Sequence, residues 1–135
     1  MSNEQSANLQ FAGLSILVIE DDFYQADDTR RTLEDAGATI IGPFNNLPAG
    51  LQAIEANAPD YAVVDLNLGG GPAFEIPREL RARGVTVLIV SGYDGKAIPE
   101  DLRDLPRLEK PVSHDALTET LRAMLDQGRE RSANG

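Results

Sequence analysis

Apolar and polar positions alternate along the chain in blocks, and the blocks predict the elements. LSILVI (14–19) has the length and β-branching of a buried strand. After it, Ala26, Thr29, Leu33 and Ala36 recur on one helical face and stop at Gly37, a natural helix end. ATIIG (38–42) reads as a second strand closed by Pro43, and Leu47, Leu51, Ile54 and Ala58 as a second helix ended by Pro59-Asp60. YAVVD (61–65) is the third strand. Residues 72–83 are helical in pattern up to Gly84, with Pro77 marking a kink or the true first turn. VTVLIV (85–90) is the fourth strand and RLEK (107–110) a short fifth. After Ser113, a good N-cap, Leu117, Leu121, Met124 and Leu125 define a final helix.

Continuous apolar strands separated by helices imply a parallel sheet covered on both faces, hence an open, doubly wound α/β domain. The small, polar, unpatterned ends, 1–12 and 128–135, are expected to be flexible tails around a single domain over 13–127.

Composition narrows the function classes. The chain is 41% hydrophobic and 25% charged, as a globular protein is. Its net charge is −10, which argues against nucleic acid or anionic lipid as partner. With no cysteine and one histidine, thiol catalysis, disulfide scaffolds and His- or Cys-based metal sites are excluded. No signal peptide or membrane-length apolar stretch is present in the sequence, so a cytoplasmic location is expected.

Ligands of such sheets bind beyond the carboxyl ends of the strands. There the sequence places Glu20, Asp21 and Asp22 after the first strand, Asp65 ending the third, Ser91 after the fourth, and Lys110 before Pro111 after the fifth. Carboxylates about 4 Å apart repel by roughly 1 kcal/mol in water and about 4 at an effective dielectric near 20. A proton or a cation must relieve that repulsion. Hard oxygen ligands without His or Cys select Mg²⁺ or a similar ion. A hydroxyl and a lysine beside it suit the remaining oxygens of a phosphoryl group, and an aspartate can itself attack phosphorus. The pocket therefore reads as one for metal-assisted phosphoryl transfer onto Asp65. Asp22 is assigned to the start of the helix, where its charge favours the dipole. The GGG at 69–71 lacks the residues of a phosphate cradle and is read as a loop, and His114 as solvent-exposed.

The set Glu20-Asp21, Asp65, Ser91 and Lys110-Pro111, in this order on these strand ends, resembles the receiver domain of two-component response regulators. The resemblance covers about 13–127. It implies a flavodoxin-like five-stranded parallel sheet in the order 2-1-3-4-5. It also implies Asp65 as phosphoacceptor, with a histidine kinase or histidine phosphotransfer protein as donor and a downstream protein as partner. Mg²⁺ would be held by Asp21, Asp65 and the backbone carbonyl of Asn67, with Glu20 acting through water. Ser91 and Lys110 would bind the phosphoryl group, and the Lys110–Pro111 peptide would be cis. Such a protein is a monomeric switch or relay rather than a classical enzyme.

Two departures stand out. Arg107 occupies the place of the usual switch aromatic, leaving Tyr93 as the other switch candidate. The stretch from Ser91 to Lys110 is short, so the helix between the last two strands should be shortened or absent. With SGYD at its start, this stretch resembles the atypical single-domain receivers named after a PFxFATGY motif. Two other functions compete. A phosphatase of the haloacid-dehalogenase kind needs a second aspartate where Asn67 stands. A receiver-like adaptor that is never phosphorylated usually lacks an acid or the lysine, and this chain retains both.

Overall fold

The computed structural model describes residues 9–69, 71–92 and 98–134, the last six as helix backbone only. Five strands, β1 (Ser15–Ile19), β2 (Thr39–Phe44), β3 (Tyr61–Asp65), β4 (Thr86–Ser91) and β5 (Arg107–Glu109), form one parallel sheet in the order β2-β1-β3-β4-β5. Four α-helices cover it: α1 (Phe23–Asp35), α2 (Leu47–Ala56), α3 (Glu75–Ala82) and α4 (His114–Asn134). This is the doubly wound, flavodoxin-like architecture that the alternating blocks predict.

Strand side chains alternate between two cores. Leu17, Ile19, Ala62, Val64, Val87 and Ile89 point to one face and meet Ile54 of α2 and Ile76 and Leu80 of α3. Ile16, Val18, Tyr61, Val63, Leu88 and Val90 point to the other and meet Leu33 of α1 and Leu117, Leu121 and Met124 of α4. Because both faces are buried, the central strands carry no polar alternation, and polar groups collect at their ends.

Several boundaries differ from the sequence expectation. Pro43 does not close β2, which continues through a cis Gly42–Pro43 peptide to Phe44. Proline is tolerated there because β2 is an edge strand with a register irregularity opposite Leu17 and Ile19. Helix α2 ends at Ala56, leaving Ala58 exposed outside it, and α3 starts at Glu75, so Pro77 sits in its first turn. Strand β5 stops one residue short of Lys110. Neither end is wholly a tail: Phe11 is fully buried in the α1/α4 core with its N–H on Ala36 O (2.8 Å), and the α4 backbone runs on to Asn134.

The expected shortening between β4 and β5 is present. Among the described residues this connection holds one 3₁₀ turn, Glu100–Leu102. Ile98 and Leu102 plug into the α2/α3 core. Arg78 grips Asp101 through two bonds (2.8 and 3.0 Å), and Arg81 binds the Asp101 carbonyl (2.5 Å) and the Asp104 carboxylate.

Gly42 shows how tightly β2 lies on β1. Its φ is +107°, and a Cβ there would stand 2.8 Å from Val18 O. That obstacle is backbone and cannot rotate away. Gly42→Ala is therefore expected to destabilise the fold by at least about 2 kcal/mol, measured by urea unfolding.

Candidate functional site

The carboxyl ends of β1, β3 and β5 bring three charged groups together. Lys110, just past β5, donates from Nζ to Glu20 Oε2 (2.9 Å) and to Asp65 Oδ2 (2.8 Å). Both acids are buried, Glu20 at 6% and Asp65 at 3% exposure. Asp65 Oδ1 accepts the backbone N–H of Asn67 (2.9 Å), and Glu20 Oε2 also accepts that of Asp22 (3.1 Å). The buried carboxylates are thus oriented by donors on neighbouring backbone as well as by the lysine.

Asp21 is exposed and completes a group in which carboxylate oxygens of Glu20, Asp21 and Asp65 lie within 4.8 Å of one another. An open cleft lined by Asp21, Asp22, Asp65, Asn67, Gly92 and Lys110 gives solvent access to it. The loop after β3 forms its wall by folding back on itself, with Ala73 N–H on Leu66 O (2.6 Å) and an Asn67–Pro72 bridge. Gly69, with φ +80°, lies so close to Asp21 that a Cβ would be 3.5 Å from Asp21 Oδ2.

Electrostatics follow from burial. Desolvation raises the Glu20 carboxyl to about 7, helped by the nearby Asp65 charge and opposed by the bonds from Lys110 and the Asp22 amide. Burial alone would lower Lys110, but its bonds to Asp65 and Glu20 win and hold it above its ordinary value. The ammonium stays charged and acts as the counter-ion of the two buried acids. The donor set fits Mg²⁺: three carboxylates within reach of one ion, no nitrogen or sulfur ligand, and a cation already drawn to them.

The other candidate residues are placed as follows. Ser91 ends β4, is 1% exposed, and accepts the Lys110 N–H on its carbonyl (3.0 Å); its neighbour Gly92 lines the cleft. The Lys110–Pro111 peptide is cis, as the resemblance implied. Arg107 is exposed at the start of β5, two positions below the Ser91–Glu109 register pair, and not in the cleft. Tyr93 lies outside the described residues. His114 is exposed but not bare, since its Nδ1 is 3.1 Å from Thr32 Oγ1.

Sequence reasoning did not find the Asp22 amide, Gly92 or the exposed aromatics Phe23 (75%) and Tyr24 (79%), which stack edge to face at the start of α1. The aromatics carried a legible signal, two large rings directly after the acids. The amide carried none.

The doubly wound α/β sheet thus carries an acidic, lysine-bridged pocket at the carboxyl ends of its strands, the edge at which sheets of this class bind ligands. Residues 16–122 match the family model "Response regulator receiver domain", and the chain belongs to that family, which serves two-component signalling. It is 30% identical over 127 residues to the sensory transduction protein RegX3 of Mycolicibacterium smegmatis, covering 90% of this chain and 54% of RegX3. The chain thus spans about half the length of that relative. Among solved structures it is similar to SdrG from Sphingomonas melonis Fr1, with 28% identity, TM-score 0.73 and coverage of 83% of this chain and 96% of SdrG. A second SdrG structure, of the BeF₃-activated conformation from Pseudomonas melonis Fr1, gives 29% identity and TM-score 0.71 over 84% of this chain and 98% of that one. A CheY-like receiver domain from Methanospirillum hungatei shares the fold at 24% identity and TM-score 0.75, over 87% and 98% of the two chains.

Two predictions test the electrostatics. Between about pH 4.5 and 7 the folded state keeps a Glu20 proton that the unfolded chain has released. Metal-free stability should therefore fall as pH rises through that window, by on the order of 2 to 3 kcal/mol, and Glu20→Gln should flatten the slope in urea titrations from pH 4 to 8. Lys110→Ala strips the buried acids of their counter-ion. It should cost the metal-free protein about 3 kcal/mol or more at pH 8, and millimolar Mg²⁺ should recover more stability in this variant than in wild type.

Proposed function

We propose that this protein accepts a phosphoryl group on Asp65 from a histidine kinase or histidine phosphotransfer protein. The observation that carries the reading is the double grip on Asp65: Lys110 Nζ on Oδ2 and the Asn67 amide on Oδ1. A buried carboxylate so held cannot swing, and its free lone pairs are fixed relative to the cleft.

Asp21, Asp65 and the Asn67 carbonyl, with Glu20 through water, would hold Mg²⁺, which would supply positive charge against the phosphoryl oxygens. The chain's own residues do the rest. An Asp65 oxygen forms the new bond to phosphorus while the donor's P–N bond breaks. The electron pair of that bond stays on the imidazole nitrogen, which takes up a proton. Lys110 exchanges its bond to Asp65 for one to a phosphoryl oxygen, and Ser91 binds another. Exposed Phe23 and Tyr24, which follow Asp22 in the chain, offer a protein donor apolar surface to dock on.

The reading extends to a stand-alone, monomeric receiver of the PFxFATGY kind acting in the cytoplasm, as an effector that binds a protein partner or as a relay. Its support is the SGYD start of the β4–β5 connection, the one 3₁₀ turn among that connection's described residues and the similarity that spans 96% of SdrG. Among the described residues no helix is long and apolar enough to cross a membrane. Asn67 cannot protonate a leaving group, so phosphatase turnover is disfavoured.

The test is direct. With Mg²⁺ and phosphoramidate, intact mass should show one phosphoryl group on wild type and none on Asp65→Asn or in excess chelator. BeF₃⁻ should shift the amide resonances of Asp65, Ser91 and Lys110 in wild type alone. Equal labelling of Asp65→Asn would sink the reading.

A further inference from the structure

Asp22 has no role in the reading above, yet it belongs to the cleft. Its amide holds Glu20 Oε2 (3.1 Å) while its Oδ1 caps α1 through Gln25 N–H (2.9 Å), so one short turn fixes both the acid pair and the helix start. That geometry keeps an exposed carboxylate on the cleft wall, beside Asp21 and Asp65. Among the described residues the one cationic side chain lining the cleft is Lys110, and its ammonium is already engaged with Glu20 and Asp65. Asp22 therefore adds a negative charge at the mouth that no described group neutralises through a salt bridge.

Every phosphodonor arrives with negative charge of its own. A small free donor, negative overall, has no surrounding lysines or arginines to offset Asp22. A phosphohistidine on a protein can be surrounded by lysines and arginines, which turn the same repulsion into attraction. Resting on the reading of Asp65 as acceptor, we infer that Asp22 is a specificity-determining residue that favours a phosphohistidine presented on a basic protein surface over small anionic phosphodonors. The next two residues, Phe23 and Tyr24, add exposed apolar area that only a macromolecular donor can cover. The transfer itself is the same for either donor: the Asp65 O–P bond forms as the P–N bond breaks, and the leaving imidazole or ammonia keeps the electron pair and gains a proton.

Asp22→Asn separates charge from structure, because asparagine caps helices as well as aspartate does, and Asp22→Ser gives a second cap-keeping variant. Each variant is supplied with saturating Mg²⁺ and one of three donors: phosphoramidate, a synthetic phosphohistidine peptide flanked by lysines, or the same peptide flanked by glutamates. Initial rates of Asp65 phosphorylation are followed as salt is raised. Wild type should prefer the lysine peptide, and both variants should narrow that preference about two- to fivefold at low salt. Their rate with phosphoramidate should rise, and all differences should shrink toward about 1 M salt, where the Debye length is about 3 Å. Asp28→Asn, which removes an exposed charge from α1 outside the cleft, should leave the preference unchanged.

An unchanged preference in the Asp22 variants, with Asp65 still phosphorylated, overturns the inference and leaves the phosphoacceptor reading standing. An equal effect from Asp28→Asn overturns it too, because net charge alone would then explain the result. If no donor phosphorylates Asp65 in wild type, the underlying reading falls and this inference with it.

Discussion

Lys110 holds two buried carboxylates at once, and the rest of the site is arranged around that bridge. Its partners follow β1 and end β3, while the lysine itself follows β5, so the contact exists only because three parallel strands finish at one edge. The bridge also works in the other direction. A three-residue edge strand has few ladder bonds to hold it, and a charge-assisted anchor to the interior adds what the ladder lacks. Desolvation makes the anchor costly, as the raised Glu20 carboxyl records. A cation bonded to two acids is also one that can be partly displaced by a stronger one, so fold stability and readiness for Mg²⁺ draw on the same three residues.

Backbone geometry supplies what side chains do not. The amides of Asp22 and Asn67 each hold an oxygen of a buried acid, and both belong to turns pinned on their far side. The first turn is fixed by the α1 cap, the second by the folded-back loop that ends at Ala73. Gly69 takes a left-handed φ of +80° where that loop passes Asp21, a conformation that favours glycine.

How much of this was legible in the sequence depends on which forces were local. Strands buried on both faces leave continuous apolar runs, so β1, β3 and β4 were visible within a residue, and with them the strand ends where Glu20, Asp21, Asp65 and Ser91 sit. The cis Lys110–Pro111 peptide and the shortened β4–β5 connection followed from the family resemblance and the spacing. Edge features were not legible. Pro43 signals a strand end everywhere except on an edge, and β2 becomes an edge strand only through the global strand order. Phe11 sits in a polar, patternless stretch, and its burial is set by the gap between α1 and α4. The Lys110 bridge, the burial that raises the Glu20 carboxyl and the Asp22 amide depend on distant or backbone groups, which periodicity cannot report.

The connection between Ser91 and Lys110 concentrates the remaining question of how a change at Asp65 would leave the pocket. Its ends are tied together by the Lys110 N–H on the Ser91 carbonyl. Its middle is tied to α3 by the buried Ile98 and Leu102 and by the Arg78 and Arg81 bonds to Asp101 and Asp104. Arg107, at the usual aromatic position, is exposed and outside the cleft. Ser91 and Lys110 are thus joined to each other through backbone, while residues 98–104 of the same connection are joined to α3.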